Sequence, residues 1–490
     1  MKYQISKRNY FAVIIQLFFI IIVGLLCGSL IITNKYIFSL SGDIYFFSVL
    51  GIFSYVLACV LWKRTTGVLY SPYIMFLTSF VIFQFGQAIL FVFGLEYERY
   101  NLFNLYRPED ILKAIIYTLL SISMFNLGAL LTNLKKKLFD KENVSRAKQV
   151  ATISAMKQVG LFLVTITAPL TIYFSIYRAV MALKYGYGII YSYNFGTNDV
   201  TQLLESLFLP SMYMFIIANT SNKKLCKLLC LILCLYALLT LLTGSRTIFI
   251  MIILSVLWLW NILINPFKVK SILGLLIFGF FLVILIPSIA ELRSMDNKSI
   301  SNYFDAFSNS TKENPVVKTV GELGGSMGVL LMIKQFMPEA VSFQFGQSYF
   351  FAIFSLIPNF FNFMGPIHPS REHAMLDLWL QNYLGLSYGP GFSMVAESYY
   401  NFGWGGIFLF VFWGFLFGKI LGYKKYENLI NHPLKLFIII SVISTCFTLP
   451  RIHTLLFVRT IIYYVLIPCL IIILVRNNKL NKKLRKKSLY

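Results

Sequence analysis

Residues 389–421 read GPGFSMVAESYYNFGWGGIFLFVFWGFLFGKIL. From Phe408 to Leu421 the stretch belongs in lipid, because its one charge is Lys419, close to the end. Gly389, Pro390 and Gly391 break whatever precedes, and Ser393 is the residue type that opens a helix by accepting from its first N–H groups. Glu397 then stands at the mouth of a membrane helix, where a carboxylate carried to mid-depth would cost several kcal/mol. Two questions follow: whether the rest of the chain is also a membrane protein, and what holds an acid in that place.

The apolar pattern recurs along all 490 residues. A composition of 58% hydrophobic and 13% charged residues, with mean hydropathy +0.73, leaves more apolar surface than a water-soluble fold can hide. Counting runs near the roughly 20-residue length that crosses a bilayer gives about twelve spans. They lie near 10–33, 43–62, 69–95, 111–132, 159–183, 202–219, 225–243, 247–265, 271–290, 393–418, 435–449 and 454–475. The expected fold is an all-α polytopic membrane protein. The first run is longer than a signal-peptide core and lacks a small-residue cleavage site, so it reads as the first span. The seven cysteines all fall within apolar runs, a pattern of packing rather than of disulfides or thiolate metal sites.

The net charge of +24 raises the question of nucleic acid. Its distribution answers it. If the N-terminus is cytoplasmic, the segments MKYQISKR, WKRTTG, NLKKKLFDKENVSRAKQ, NKKLCK, NPFKVK, KILGYKKYENLINHPLK and RNNKLNKKLRKK all fall inside and carry well over half of the 43 basic residues. The charge is an orientation signal that also meets anionic lipid, both termini are expected inside, and no nucleic-acid partner is expected. The chain then divides into a nine-span region (1–290), a large external loop (291–391), a three-span region (392–475) and a basic cytoplasmic tail (476–490). Within the loop, QSYFFAIFSLIPNFFNFM (347–364) is apolar but broken by Pro358, and reads as an amphipathic or re-entrant element.

On the external side the sequence places Arg246, Arg293, Arg451 and Arg459. A single arginine there could be a snorkelling interfacial residue; four together suit an anion, since guanidinium groups bind phosphate oxygens through two parallel donors. His373 and Asp377, four residues apart in REHAMLDLWL, would share a face of a helix as an acid/base couple needs, or simply lie on a solvated loop helix. On the helix opened by Ser393, Glu397, Tyr400 and Trp404 follow at helical spacing and give one polar, aromatic face. Glu397 is either a structural carboxylate, favoured by the helix N-terminus or paired with an arginine, or a general base. No set of residues has metalloenzyme spacing, and there is no phosphate-cradling glycine loop, so neither metal nor cofactor is expected.

The succession LLTGSRT (241–247), FGQSYFFAIFSLIP (345–358) and YGPGFSMVAESYYNFGWGG (388–406), with a large external loop before the third motif, resembles the O-antigen or oligosaccharide repeat-unit polymerases, the Wzy-type family. The resemblance implies a GT-C-like fold in the bacterial cytoplasmic membrane, with the active site on the external face. It implies a metal-independent glycosyltransferase that joins undecaprenyl diphosphate-linked oligosaccharide units, with a chain-length regulator and a flippase as partners. Carried over by motif, it places Arg246 on the diphosphate and Glu397 in the catalytic centre. His373 stands as the second candidate base, Arg293, Arg451 and Arg459 as further diphosphate ligands, and Tyr400 and Trp404 as glycan contacts. The same topology and donor suit an O-antigen ligase; a flippase or exporter of the lipid-linked sugar would need charges along several spans, which are sparse here.

Overall fold

A computed structural model describes residues 3–5, 7–33, 35–137, 146–185, 199–243, 246–267, 314–354, 373–386, 389–423, 429–446 and 448–487. In chain order the main helices are α1 (Lys7–Thr33), α2 (Leu40–Thr66), α3 (Pro72–Val92), α4 (Pro108–Leu131), α5 (Arg146–Tyr185), α6 (Asp199–Ala218), α7 (Lys223–Leu242) and α8 (Arg246–Leu259). After them come α9 (Pro315–Gly324), α10 (Met327–Lys334), α11 (Gln347–Phe354), α12 (Leu376–Leu384), α13 (Met394–Phe402), α14 (Leu409–Leu421), α15 (Pro433–Cys446), α16 (Thr454–Ile461) and α17 (Ile467–Lys487). Three-residue segments Tyr3–Ile5 and Lys135–Lys137 pair antiparallel, which sets the start of α1 beside the lysines after α4.

The protein is an all-α polytopic membrane protein. Among the described residues ten helices are long and apolar enough to cross a bilayer, or eleven if α9 and α10, which meet at a 40° bend, form one broken span. The expected span at 271–290 and the segment 355–364 of the apolar loop element lie outside the described residues, while 347–354 of that element is α11. The expected span at 435–449 is the shorter helix α15, 14 residues long.

Two compact units divide the chain, and both are discontinuous in sequence. The first comprises 1–140, 317–424 and 446–459; the second 141–316, 425–445 and 460–490. In the first, α4 is the hub: most of it is buried, against α1, α2, α3 and α14, whereas α1 presents Phe18, Ile21 and Leu25 outward, as a lipid-facing helix does. Helix starts are set locally. Ser39 and Ser71 cap α2 and α3 by accepting from Gly42 and Ile74, and Pro108 occupies the first turn of α4 with Glu109 and Asp110. Polar groups buried in lipid must find partners inside the protein. Tyr73 donates to Asn126 at 3.0 Å, Asn126 to Gln16 at 2.8 Å, and Gln16 to the Ser123 carbonyl at 3.0 Å, which locks α1, α3 and α4 in register.

Contact between α4 and α14 is close enough that a Cβ on Gly414 would collide with the Phe125 carbonyl, and one on Gly128 with that of Val411. Backbone cannot rotate away as a side chain can, so these two glycines set the helix separation. Gly414→Val should cost at least about 1–3 kcal/mol by overpacking, read as a lowered melting temperature of the detergent-purified protein. In the second unit α5 and α6 pack along their length and are joined by a two-pronged Arg178–Glu205 pair at 2.9 and 3.0 Å. There Lys479 of α17 donates to Ser154 of α5 at 2.6 Å, which places part of the basic tail beside the start of α5.

Candidate active site

Ser393 caps α13 by accepting from Ala396 N at 3.1 Å, as its sequence position suggested. Glu397 is 1% exposed. Its Oε1 accepts from Ser348 Oγ of α11 at 2.7 Å, and its Oε2 accepts from Thr454 N at 2.6 Å and Thr454 Oγ1 at 2.7 Å. Thr454 is the first residue of α16, so the carboxylate also faces the positive end of that helix. Asn401, one turn on, donates to Ser348 Oγ and to the Glu397 carbonyl, both at 2.8 Å, and accepts from Gly346 N at 3.0 Å. One acid therefore fastens three elements, α11, α13 and the start of α16, with every oxygen satisfied.

Next to that clamp lies a residue that the sequence reading passed over. His453 precedes Thr454, is 2% exposed, and lies 3.1 Å through Nε2 from Asp377 Oδ1 at the start of α12. An ionised carboxylate only accepts, so Nε2 carries the proton and, in the neutral ring, Nδ1 carries the lone pair. Nδ1 has no hydrogen-bond partner among the described residues. Burial works against the Asp377 carboxylate, but the hydrogen bond and charge of His453, together with backbone N–H groups at Asp377 and Leu378, outweigh it and hold its pKa below the ordinary value. His453 is also within electrostatic reach of Glu397. The turn carrying it, Leu449–Arg451, is held by Gln84 of α3, whose Nε2 donates to the Pro450 carbonyl at 2.7 Å.

Two sequence expectations change here. His373 and Asp377 are not a pair: Met375 interrupts the helix between them, His373 is exposed with its ring 4.7 Å from that of Phe351, and Asp377 turns to His453, 76 residues away. Nor do Tyr400 and Trp404 share one helical face. Gly403, at φ +55°, ends α13 and starts a 3-10 turn, a backbone conformation that residues with a Cβ rarely adopt. Tyr400 packs on Trp379 (4.7 Å between rings), whereas Trp404 packs on Tyr117 (5.6 Å).

Arg451 is exposed on the same turn as His453, and Arg459 is half-buried further along α16. Arg246 opens α8 in the second unit, but its side chain, like the whole of Arg293, lies outside the described residues. Among the described residues no three His, Cys, Asp or Glu side chains cluster as metal ligands. At the end of the first unit where α2 and α4 begin and α3 ends, an open cleft of about 570 Å³ is lined by Ser41, Phe91, Tyr97, Asn101 and Phe103 among others. Aromatic faces beside amide and hydroxyl groups are the surfaces that pack against sugar rings and hydrogen-bond their hydroxyls.

A family model described as O-antigen polysaccharide polymerase Wzy matches residues 11–483. No curated protein and no solved structure matches the chain.

Proposed function

The chain belongs to the O-antigen polysaccharide polymerase Wzy family, and from that premise we propose that it joins undecaprenyl diphosphate-linked repeat units on the outer face of the cytoplasmic membrane. The observation that supports an active site in the first unit is the Asp377–His453 pair, whose second imidazole nitrogen has no partner among the described residues and lies one residue from the Thr454–Glu397 clamp.

In this reading a sugar hydroxyl of one unit attacks the anomeric carbon of the other. A carbon–oxygen bond forms there while the bond to the diphosphate breaks, and undecaprenyl diphosphate leaves with the electron pair. His453 Nδ1 takes the hydroxyl proton, and the carboxylates of Asp377 and Glu397 stabilise the imidazolium that results. His453 is buried, so substrate entry has to open the space at Nδ1. Arg451 and Arg459 neutralise the leaving diphosphate, and a single displacement inverts the anomeric carbon. Tyr400, Trp404 and the 570 Å³ cleft hold the glycan, and exposed His373 contacts it from outside the clamp.

Mass spectrometry of lipid-linked glycans from a deletion strain tests the reading. Single repeat units should accumulate on the outer face of the cytoplasmic membrane. Their accumulation on the inner face would instead indicate a flippase, and full-length lipid-linked polymer that is not transferred onward would indicate a ligase.

A further inference from the structure

On the opposite flank of α13 from Glu397 stands a cation that the proposed reaction does not use. Lys334, the last residue of α10, holds its Nζ 4.7 Å from the ring centroid of Tyr399 and 4.9 Å from that of Trp404. Tyr399 lies two residues after Glu397, about 200° round the helix, so the two groups face away from each other. None of the three ammonium donors of Lys334 meets a protein acceptor, and no carboxylate lies within 4 Å, among the described residues.

Nearby acids do not supply the missing anion. Asp110 acts on Lys334 electrostatically but is already paired with Arg107 at 3.0 Å, and Lys113, one turn along α4, adds a second positive charge. Glu339 is exposed and makes no ion pair with Lys334 among the described residues. At the end where α4 and α13 begin, Arg107, Lys113 and Lys334 are matched in number by Glu109, Asp110 and Glu339, but none of these acids forms an ion pair with Lys334 among the described residues. Two aromatic faces hold the ammonium by their quadrupoles while leaving its N–H groups open, an arrangement that orients a cation toward a ligand rather than quenching it.

We propose that Lys334, with Tyr399 and Trp404, binds the phosphate of a phosphate-bearing lipid headgroup, and that its ligand is the diphosphate which the acceptor unit retains. The inference rests on the polymerase reading. In that reaction only the donor loses its diphosphate; the acceptor keeps its own, separated from the attacking hydroxyl by the length of a repeat unit. A second phosphate site, away from the base and facing a different way, is therefore what two lipid-linked substrates require. The ammonium acts as a point charge on phosphate oxygens, and the aromatic rings offer the first sugar a packing face.

The test uses the full chain in nanodiscs, titrated separately with undecaprenyl diphosphate, with phosphatidylglycerol and with inorganic pyrophosphate. Lys334→Met should weaken binding of undecaprenyl diphosphate about tenfold or more, and Lys334→Arg should restore most of it, since loss of one desolvated charge contact is of that order. Phosphatidylglycerol should bind weakly and without dependence on residue 334. Unchanged undecaprenyl diphosphate affinity in Lys334→Met, or equal binding of phosphatidylglycerol through the same residue, overturns the proposal. If Lys334→Met does not fold, Lys334→Gln and Lys334→Arg carry the comparison, and wild-type affinity in the glutamine variant overturns it equally. Failure of the two readings is separable: a wild-type protein that binds the diphosphate through Lys334 but forms no polymer from lipid-linked units removes the polymerase and leaves the site.

Discussion

Replacing His453 with glutamine should lower the rate of polymerisation by about a thousandfold, within the range for loss of a general base, while the protein still folds and still binds its lipid-linked donor. Glutamine can keep a donor toward Asp377 Oδ1 through its amide, so the contact at 3.1 Å that steadies α12 against the turn need not be lost. What it cannot supply is the basic nitrogen at Nδ1. The measurement is a single-turnover assay on purified protein with lipid-linked repeat unit, run beside a donor-binding titration. Asp377→Asn should give a loss at least as large, up to about ten-thousandfold, because an amide that donates to Nε2 turns the ring to the tautomer with its proton on Nδ1 and carries no charge to stabilise the imidazolium. If His453→Gln polymerises at the wild-type rate while His373→Gln does not, the proton goes to His373 and the Asp377–His453 pair is structural.

Hydropathy made the spans legible because crossing a bilayer demands length and apolarity whatever the neighbours are, and each described long helix answers to one expected run. Local chemistry was equally readable: Ser393 opens α13 because capping depends on residues three apart. The site was read only in part, because its decisive contacts are not local. Asp377 had a candidate partner four residues away and takes one 76 residues away, a choice made by the packing of α12 against the turn at Leu449–Arg451. The one sequence signal for His453 was that a histidine, one of only four in the chain, follows an arginine in the tight turn LPRIH. Lys334 lay within a stretch read as loop, and nothing in its neighbours along the chain announces that two rings some seventy residues later receive it. Gly403 shows the opposite case: its presence after α13 was plain, but that it would end the helix and turn Trp404 from the face of Tyr400 depended on a φ of +55°.

Glu397 answers the question raised by residues 389–421, and its substitution separates holding from catalysis. Glutamine is the informative replacement. Its Oε1 can accept from Thr454 N and Thr454 Oγ1, while its amide N–H can donate to Ser348 Oγ, so the junction of α11, α13 and α16 keeps its geometry at the cost of one charge-assisted bond, about 1.5–3 kcal/mol. Alanine removes all acceptors and leaves three buried donors unmatched, each worth about 1–3 kcal/mol, a sum comparable with the whole stability of a typical domain. Glu397→Ala should therefore fail to accumulate as folded protein. Glu397→Gln should purify with a modestly lowered melting temperature. Its donor affinity should stay near wild type, while its rate of polymerisation falls about ten- to a hundredfold, because the uncharged amide no longer stabilises the imidazolium that forms at His453. Rate and affinity moving separately is the mark of that role; a purely structural clamp would lose both in step with stability. If Glu397→Gln loses all transfer with no change in melting temperature while His453→Gln stays active, the carboxylate itself takes the proton, and the clamp must open to release it each time an acceptor arrives.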